Sequence, residues 1–271
     1  MHTNEYCKQE RLLTIDNLGL RFGDKTIFRD INLSIDNIVR PNLAQGQVVC
    51  LLGPSGIGKT QLFRCIAGLQ SPTVGHVGLN GARKTVAAGE VGVVFQNCPL
   101  LEHRTVWGNL RLAAEQVHKK TDDIVKLLEM FSLLDKKDLY PGQLSGGQRQ
   151  RIAIIQQMLC SSHFILMDEP FSGLDVIMKQ KTVDLISEVS TVDELNTLII
   201  TTHDISTAIA ISDTIWVLGR EKADDGSWLA GSTCVRSYDL IEHGLAWNKD
   251  VEKHPNFYPL VLEIKELFGQ I

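Results

Sequence analysis

The chain reads as an α/β protein in which helix-rich sequence interrupts a sheet of mostly parallel strands. Short continuous apolar runs recur at 48–52, 91–95, 164–167, 198–201 and 215–218, the texture of strands buried on both faces. Between 105 and 159 the texture turns helical, so a helical segment is inserted between strands. The length of 271 residues, with 44% hydrophobic and 22% charged, suits one large domain or two small ones. It excludes disorder, collagen and coiled-coil arrays as descriptions of the chain.

From the N-terminus, residues 12–20 and the Ile-Asn-Leu-Ser-Ile run at 31–35 alternate as strands do, around a turn at Phe22-Gly23-Asp24. Residues 36–46 read as a loop. After the run at 48–52 comes a glycine-rich turn, then a helix from Lys59 to about Leu69 that Gly68 or Ser71-Pro72 ends. Thr121 is the expected cap of a helix whose Ile124, Leu127, Leu128 and Phe131 share one face. Beyond Gly219 a turn is expected at Asp224-Asp225-Gly226, with helices near 238–245 and 258–268.

Charge and cysteine usage narrow the partners. The 32 acidic and 27 basic residues leave a net charge of −5, the wrong sign for a nucleic-acid partner. The six cysteines have no C-x-x-C spacing, and most lie in apolar sequence, so buried reduced thiols and a cytosolic setting are expected. No apolar run approaches the ~18 residues of a membrane span, and residues 1–10 carry no signal-peptide core.

Gly53-Pro54-Ser55-Gly56-Ile57-Gly58-Lys59-Thr60 fits G-x-x-x-x-G-K-S/T between a strand and a helix. Its glycines let successive N–H groups turn toward phosphate oxygens, and the helix start adds partial positive charge. Lys59 can reach the β/γ-phosphates, and the Thr60 hydroxyl can ligate Mg²⁺. Asp168 ends an apolar run, where a carboxylate is costly without a cationic partner. Mg²⁺ beside Thr60 supplies one, and Glu169 can orient or deprotonate an attacking water. A solvated Asp-Glu turn is the competing reading of that pair.

Leu144-Ser145-Gly146-Gly147-Gln148 starts a second helix with anion-binding character, in which Ile152, Ile155 and Leu159 share a face. This pentapeptide is the signature of the ATP-binding cassette (ABC) ATPases, and the chain resembles that family along nearly its whole length. Other landmarks follow in family order. Phe22 sits where the family stacks an aromatic on adenine, and Gln96 matches the Q-loop glutamine. Ser172-Gly173-Leu174-Asp175 matches the D-loop, and His203 in Thr201-Thr202-His203-Asp204 the switch histidine.

The resemblance implies a P-loop NTPase (RecA-like) core with an N-terminal antiparallel β subdomain and an inserted α-helical signature subdomain. The ATPase domain would span 1–218, with the insertion at about 97–159 and a C-terminal extension over 219–271. It implies catalysis by Glu169, His203, Lys59 and Gln96. It implies a Mg²⁺ ion held by Thr60, Gln96 and Asp168. The resemblance also implies ATP held by Phe22, residues Gly53 to Gln61, Ser145 to Gln148, and Asp175. Two cassettes, as a homodimer or heterodimer, would sandwich two ATP molecules, each between one phosphate loop and the partner's signature.

Gln61, Phe22, Gln156 and Thr207 depart from the residues usual in the family; Gln61 puts a contact to the α-phosphate in doubt. Residues 36–45 look longer than the usual connection. Residues 100–107 resemble the ATPases of nitrate, sulfonate and taurine importers. The expected function is therefore the energy-coupling ATPase of an importer of a small anion or organic solute. Its pore would be integral-membrane permease subunits in trans, and the chain would sit in the cytoplasm, peripheral on the inner face of the cell membrane. The alternative is an ABC ATPase acting on soluble partners, as in iron–sulfur cluster assembly.

Overall fold

A computed structural model describes residues 6–39, 45–81, 84–117, 120–160, 163–248 and 250–271. Two sheets form it. A three-stranded antiparallel sheet, ordered β2-β1-β4, is built from β1 (Cys7–Phe22), β2 (Lys25–Val39) and β4 (Val74–Leu79). A six-stranded sheet is ordered β5-β6-β7-β3-β8-β9. Its members are β3 (Gln47–Leu52), β5 (Gly92–Val94), β6 (Phe164–Asp168), β7 (Thr197–Thr202), β8 (Thr214–Gly219) and β9 (Thr233–Asp239). All its pairings are parallel except β8 with β9.

Strand β3 shows why the apolar runs are continuous. Val48, Cys50 and Leu52 face one core, while Val49 and Leu51 face another. The first core includes the helices α2 (Val106–Gln116), α3 (Thr121–Met130), α4 (Gly146–Cys160), α5 (Val176–Ser190), α6 (Ile205–Ile211) and α7 (Phe257–Phe268). The second lies between the two sheets and takes in α1 (Lys59–Ile66) through Leu62, Phe63 and Ile66. Each fully buried side chain of this kind contributes ~1.5–3 kcal/mol.

Helices α2 to α4 lie between β5 and β6 in the chain. The Thr105 hydroxyl caps α2 by accepting the Gly108 N–H at 3.1 Å. Buried Asn109 spends its amide on the Leu101, Arg104 and Thr105 carbonyls and accepts the Leu101 N–H, tying the preceding loop to the helix.

Several expectations are corrected. Residues 36–39 continue β2 instead of opening a loop, because Asp36 pairs with Arg11 and the Asn37 amide donates to Glu10 across the ladder. Of the expected loop, 40–44 lie outside the described residues. Thr121 is the first residue of α3, not its cap; the Asp123 carboxylate accepts the Lys120 N–H instead. The helix expected near 238–245 is absent. Tyr238 and Asp239 end β9 opposite Ile215 and Thr214, and the Asp239 carboxylate then accepts the Ile241 and Glu242 N–H groups in a turn. Of the six cysteines, all free, Cys50 and Cys65 are buried and Cys7 is exposed.

Candidate nucleotide site

The chemistry-bearing residues meet where three neighbouring parallel strands end. The phosphate loop follows β3, Asp168 and Glu169 close β6, and Thr201 to His203 close β7, which lies between those two. The carboxyl ends of parallel strands are where open α/β sheets bind ligands.

The loop's geometry depends on its glycines. Gly58, at φ 111°, adopts a left-handed conformation, and a Cβ on Gly53 would stand 2.8 Å from the Leu218 carbonyl oxygen. The chain then enters α1 with Gln61 and Leu62 bonded to the Gly58 carbonyl. Among the described residues the N–H groups of Gly58, Lys59 and Thr60 have no protein partner. Three adjacent donors at a helix start form a cradle for an anion.

Lys59 is folded back over this loop. Only 6% exposed, its ammonium donates to the Gly53 carbonyl at 2.8 Å and to the Pro54 carbonyl at 3.2 Å. It also pairs with Glu169 Oε1 at 3.4 Å. Burial pushes its pKa below the ordinary lysine value, against the opposing charges of Glu169 and Asp168.

Glu169 Oε2 lies 3.0 Å from His203 Nδ1, so one carboxylate links the lysine to the histidine. Its backbone holds φ 46°, a conformation rare for a residue with a side chain and one that clusters at functional sites.

Thr201, two residues before His203, organises the pair. Fully buried in β7, its hydroxyl donates to Asp168 Oδ1 at 2.6 Å and accepts the Glu169 N–H at 2.9 Å. The signal was a hydroxyl inside a fully buried strand, which must find partners there.

The remaining residues lie around this centre. Thr60 and Gln96 are exposed, and Phe22 is exposed at the end of β1. Gln61 is half-buried, and its Oε1 is buried without a hydrogen-bond partner among the described residues. At the start of α4, Ser145 and Gln148 form a reciprocal cap. The Gln148 N–H donates to Ser145 Oγ at 3.3 Å and the Ser145 N–H to Gln148 Oε1 at 2.9 Å. The Gly146 and Gly147 N–H groups have no partner, and no hydrogen bond or ion pair joins this cap to the phosphate loop, among the described residues. Asp175 is exposed and caps α5 by accepting the Met178 N–H at 2.8 Å.

Strand ends that carry an anion cradle, a buried lysine and a carboxylate pair define a P-loop nucleotide-binding protein. The ABC transporter family model matches residues 37–172, and the chain belongs to that family. A sulfate/thiosulfate import ATP-binding protein of Gloeobacter violaceus is 36% identical over 270 residues, 96% of this chain and 74% of that protein. An Fe(3+) ions import ATP-binding protein of Photobacterium profundum is 31% identical over 221 residues, covering 78% of this chain and 60% of that one. The fold matches cbiO1 of Clostridium perfringens, part of the cbiONQ ABC transporter complex, with a TM-score of 0.70 at 22% identity. That match covers 95% of this chain and all of the other. Against the first curated relatives, the chain spans 59–60% of their length.

Proposed function

We propose that the chain is the ATP-hydrolysing, energy-coupling subunit of an ABC importer. The observation that carries this reading is the meeting of Lys59, Glu169 and His203 beside three phosphate-loop N–H groups that have no partner among the described residues. These donors and Lys59 would receive the β- and γ-phosphates, with Lys59 exchanging its contact to Glu169 for phosphate oxygen. Phe22 would offer its exposed ring to the base, and Gln61 its amide to the α-phosphate.

Hydrolysis then needs a base. Glu169 takes a proton from water as the water oxygen bonds to the γ-phosphorus, and the bond from that phosphorus to the bridging oxygen breaks, leaving ADP and phosphate. His203 Nδ1 holds the carboxylate in place. The residues present suit Mg²⁺: Asp168 keeps Oδ2 without a protein partner among the described residues, and Thr60 and Gln96 offer further oxygens. No group of three His, Cys, Asp or Glu that could hold a metal ion is present among those residues. Bound there by Thr60, Gln96 and Asp168, Mg²⁺ would neutralise phosphate charge.

Two chains would pair head to tail, as a homodimer or with a second cassette, each supplying Ser145 to Gln148 and Asp175 to its partner's ATP. Integral-membrane permeases would bind this dimer on the inner face of the membrane. No helix among the described residues is long and apolar enough to cross a membrane. Residues 1–218 would form the ATPase domain and 219–271 an extension of it. Resemblance over 100–107 favours the nitrate, sulfonate and taurine group within a wider class of small-anion importers. The relatives' sulfate/thiosulfate name supports that class, and the Fe(3+) name widens it.

Purification of the tagged chain from solubilised membranes of its own cell tests this reading. Magnesium-dependent ATPase activity with co-purifying integral-membrane subunits is expected. ATPase activity with only soluble companions would overturn the transport reading, and no hydrolysis with or without them would overturn the enzymatic one.

A further inference from the structure

We propose that Ser232, at the entry to β9, is a positioning residue for the phosphate loop. This rests on reading that loop as the nucleotide site. Ser232 is 1% exposed. Its hydroxyl stands 2.8 Å from the Ile57 carbonyl oxygen and 3.2 Å from that of Ile27. It has one proton to give, and the Ile57 carbonyl at 2.8 Å is the nearer acceptor, while Ile27 at 3.2 Å also takes the Ser232 N–H. The proton therefore goes to Ile57, in the middle of the phosphate loop.

The consequence follows from peptide geometry. Across a planar trans peptide the carbonyl and the next N–H point in opposite directions. Fixing the Ile57 carbonyl on Ser232 therefore aims the Gly58 N–H the opposite way, and that N–H is one of the three without a protein partner. Gly58, at φ 111°, has conformational freedom that would otherwise let this peptide rotate. The chain leaves little slack behind it. The Arg29 N–H donates to the Ser232 carbonyl at 2.8 Å, which together with the Ile27 bond makes Ser232 a bridge to β2. A Cβ on Gly58 would sit 3.2 Å from Ile27 Cγ2 and 3.5 Å from Ser232 Oγ. A segment more than 170 residues beyond the loop thus holds its peptide from behind.

Ser232→Ala removes the donor, and Ser232→Cys keeps the shape with a much weaker donor. Affinities for ATP and for inorganic triphosphate would be measured by calorimetry on the full chain, alongside thermal unfolding. Both variants should weaken both ligands about fivefold or more and by equal factors, the effect of losing one oriented hydrogen bond. Unchanged affinities in a folded Ala or Cys variant would overturn the proposal, as would weakening of ATP alone, which would place the effect at the base through β2. Wild type and Lys59→Ala separate this from the underlying reading. If wild type binds neither ligand, or Lys59→Ala binds both normally, the nucleotide site itself is wrong. If Lys59→Ala loses them and the Ser232 variants do not, only the role of Ser232 fails.

Discussion

Glu169 holds Lys59 through one carboxylate oxygen and His203 through the other, and that double engagement defines what its substitution does. Glu169→Gln keeps the size and leaves the Asp168–Thr201 bond intact, but removes the proton acceptor. ATP should still bind, while steady-state hydrolysis falls by ~10²-fold or more; near-normal turnover would remove Glu169 as the base. Lys59 yields a pH signature. Its pKa is lowered in the free protein by burial, and triphosphate charge would raise it in the complex. Binding therefore takes up a proton between the two values, and affinity falls as pH rises through the free-state value, which lies below the ordinary ~10.4. Titration of ATP affinity from about pH 7 to 10 should show this decline in wild type and not in Lys59→Arg, since arginine stays charged throughout. A flat wild-type profile would contradict it.

At the scale of elements, α5 and α6 are joined by Lys179 and Asp204 at 2.6 Å, and Asp204 also caps α6 by accepting the Thr207 N–H at 2.9 Å. Burial raises the Asp204 pKa, but the Lys179 and Thr207 bonds and the Lys179 charge bring it to a net value below the ordinary one. A depressed carboxylate stabilises the fold above its unfolded-state pKa and loses that contribution as pH falls through the folded value. Lys179→Met should thus lower the thermal midpoint at pH 7, and the gap to wild type should shrink below about pH 4. A gap that persists unchanged at pH 3 would show that packing of the lysine stem carries it. The same elements show what sequence patterns convey. Buried parallel strands announced themselves because both faces are apolar, and Thr105 to Leu159 read as helix because one face is. Strand β9 did not: Tyr238 and Asp239 lie in a polar edge strand whose pairing with β8 decides its conformation. Residues 36–39 misled for a related reason, since Asp and Asn favour turns unless a neighbouring strand supplies partners such as Arg11 and Glu10.

Over the molecule, the motif residues were legible because each is tied to a strand or helix end, but the residues that hold them, Thr201 and Ser232, were not. The buried run around Thr201 requires its hydroxyl to find partners without naming Asp168 or Glu169, and nothing local marks Ser232, whose partner lies far away in sequence. A related question is which chain completes each site. The phosphate loop and the Ser145–Gln148 cap are two helix starts with unpartnered donors, and no hydrogen bond or ion pair joins them within the described residues. Beside Asp175, Val176 and Ile177 are 84% and 69% exposed, an apolar surface suited to a second copy. If the cap serves the partner's ATP, a Lys59→Ala chain and a Ser145→Arg chain, each inactive alone, should complement one another. In the mixed dimer one composite site carries both lesions and the other carries neither, so mixing should restore part of the ATPase activity. Specific activity of the wild type should also rise with concentration until the dimer is populated. Zero recovery with mixed dimers shown to form would rule out one intact site sufficing for turnover. Specific activity that stays constant on dilution below the dimer dissociation constant would mean that each chain completes its own site.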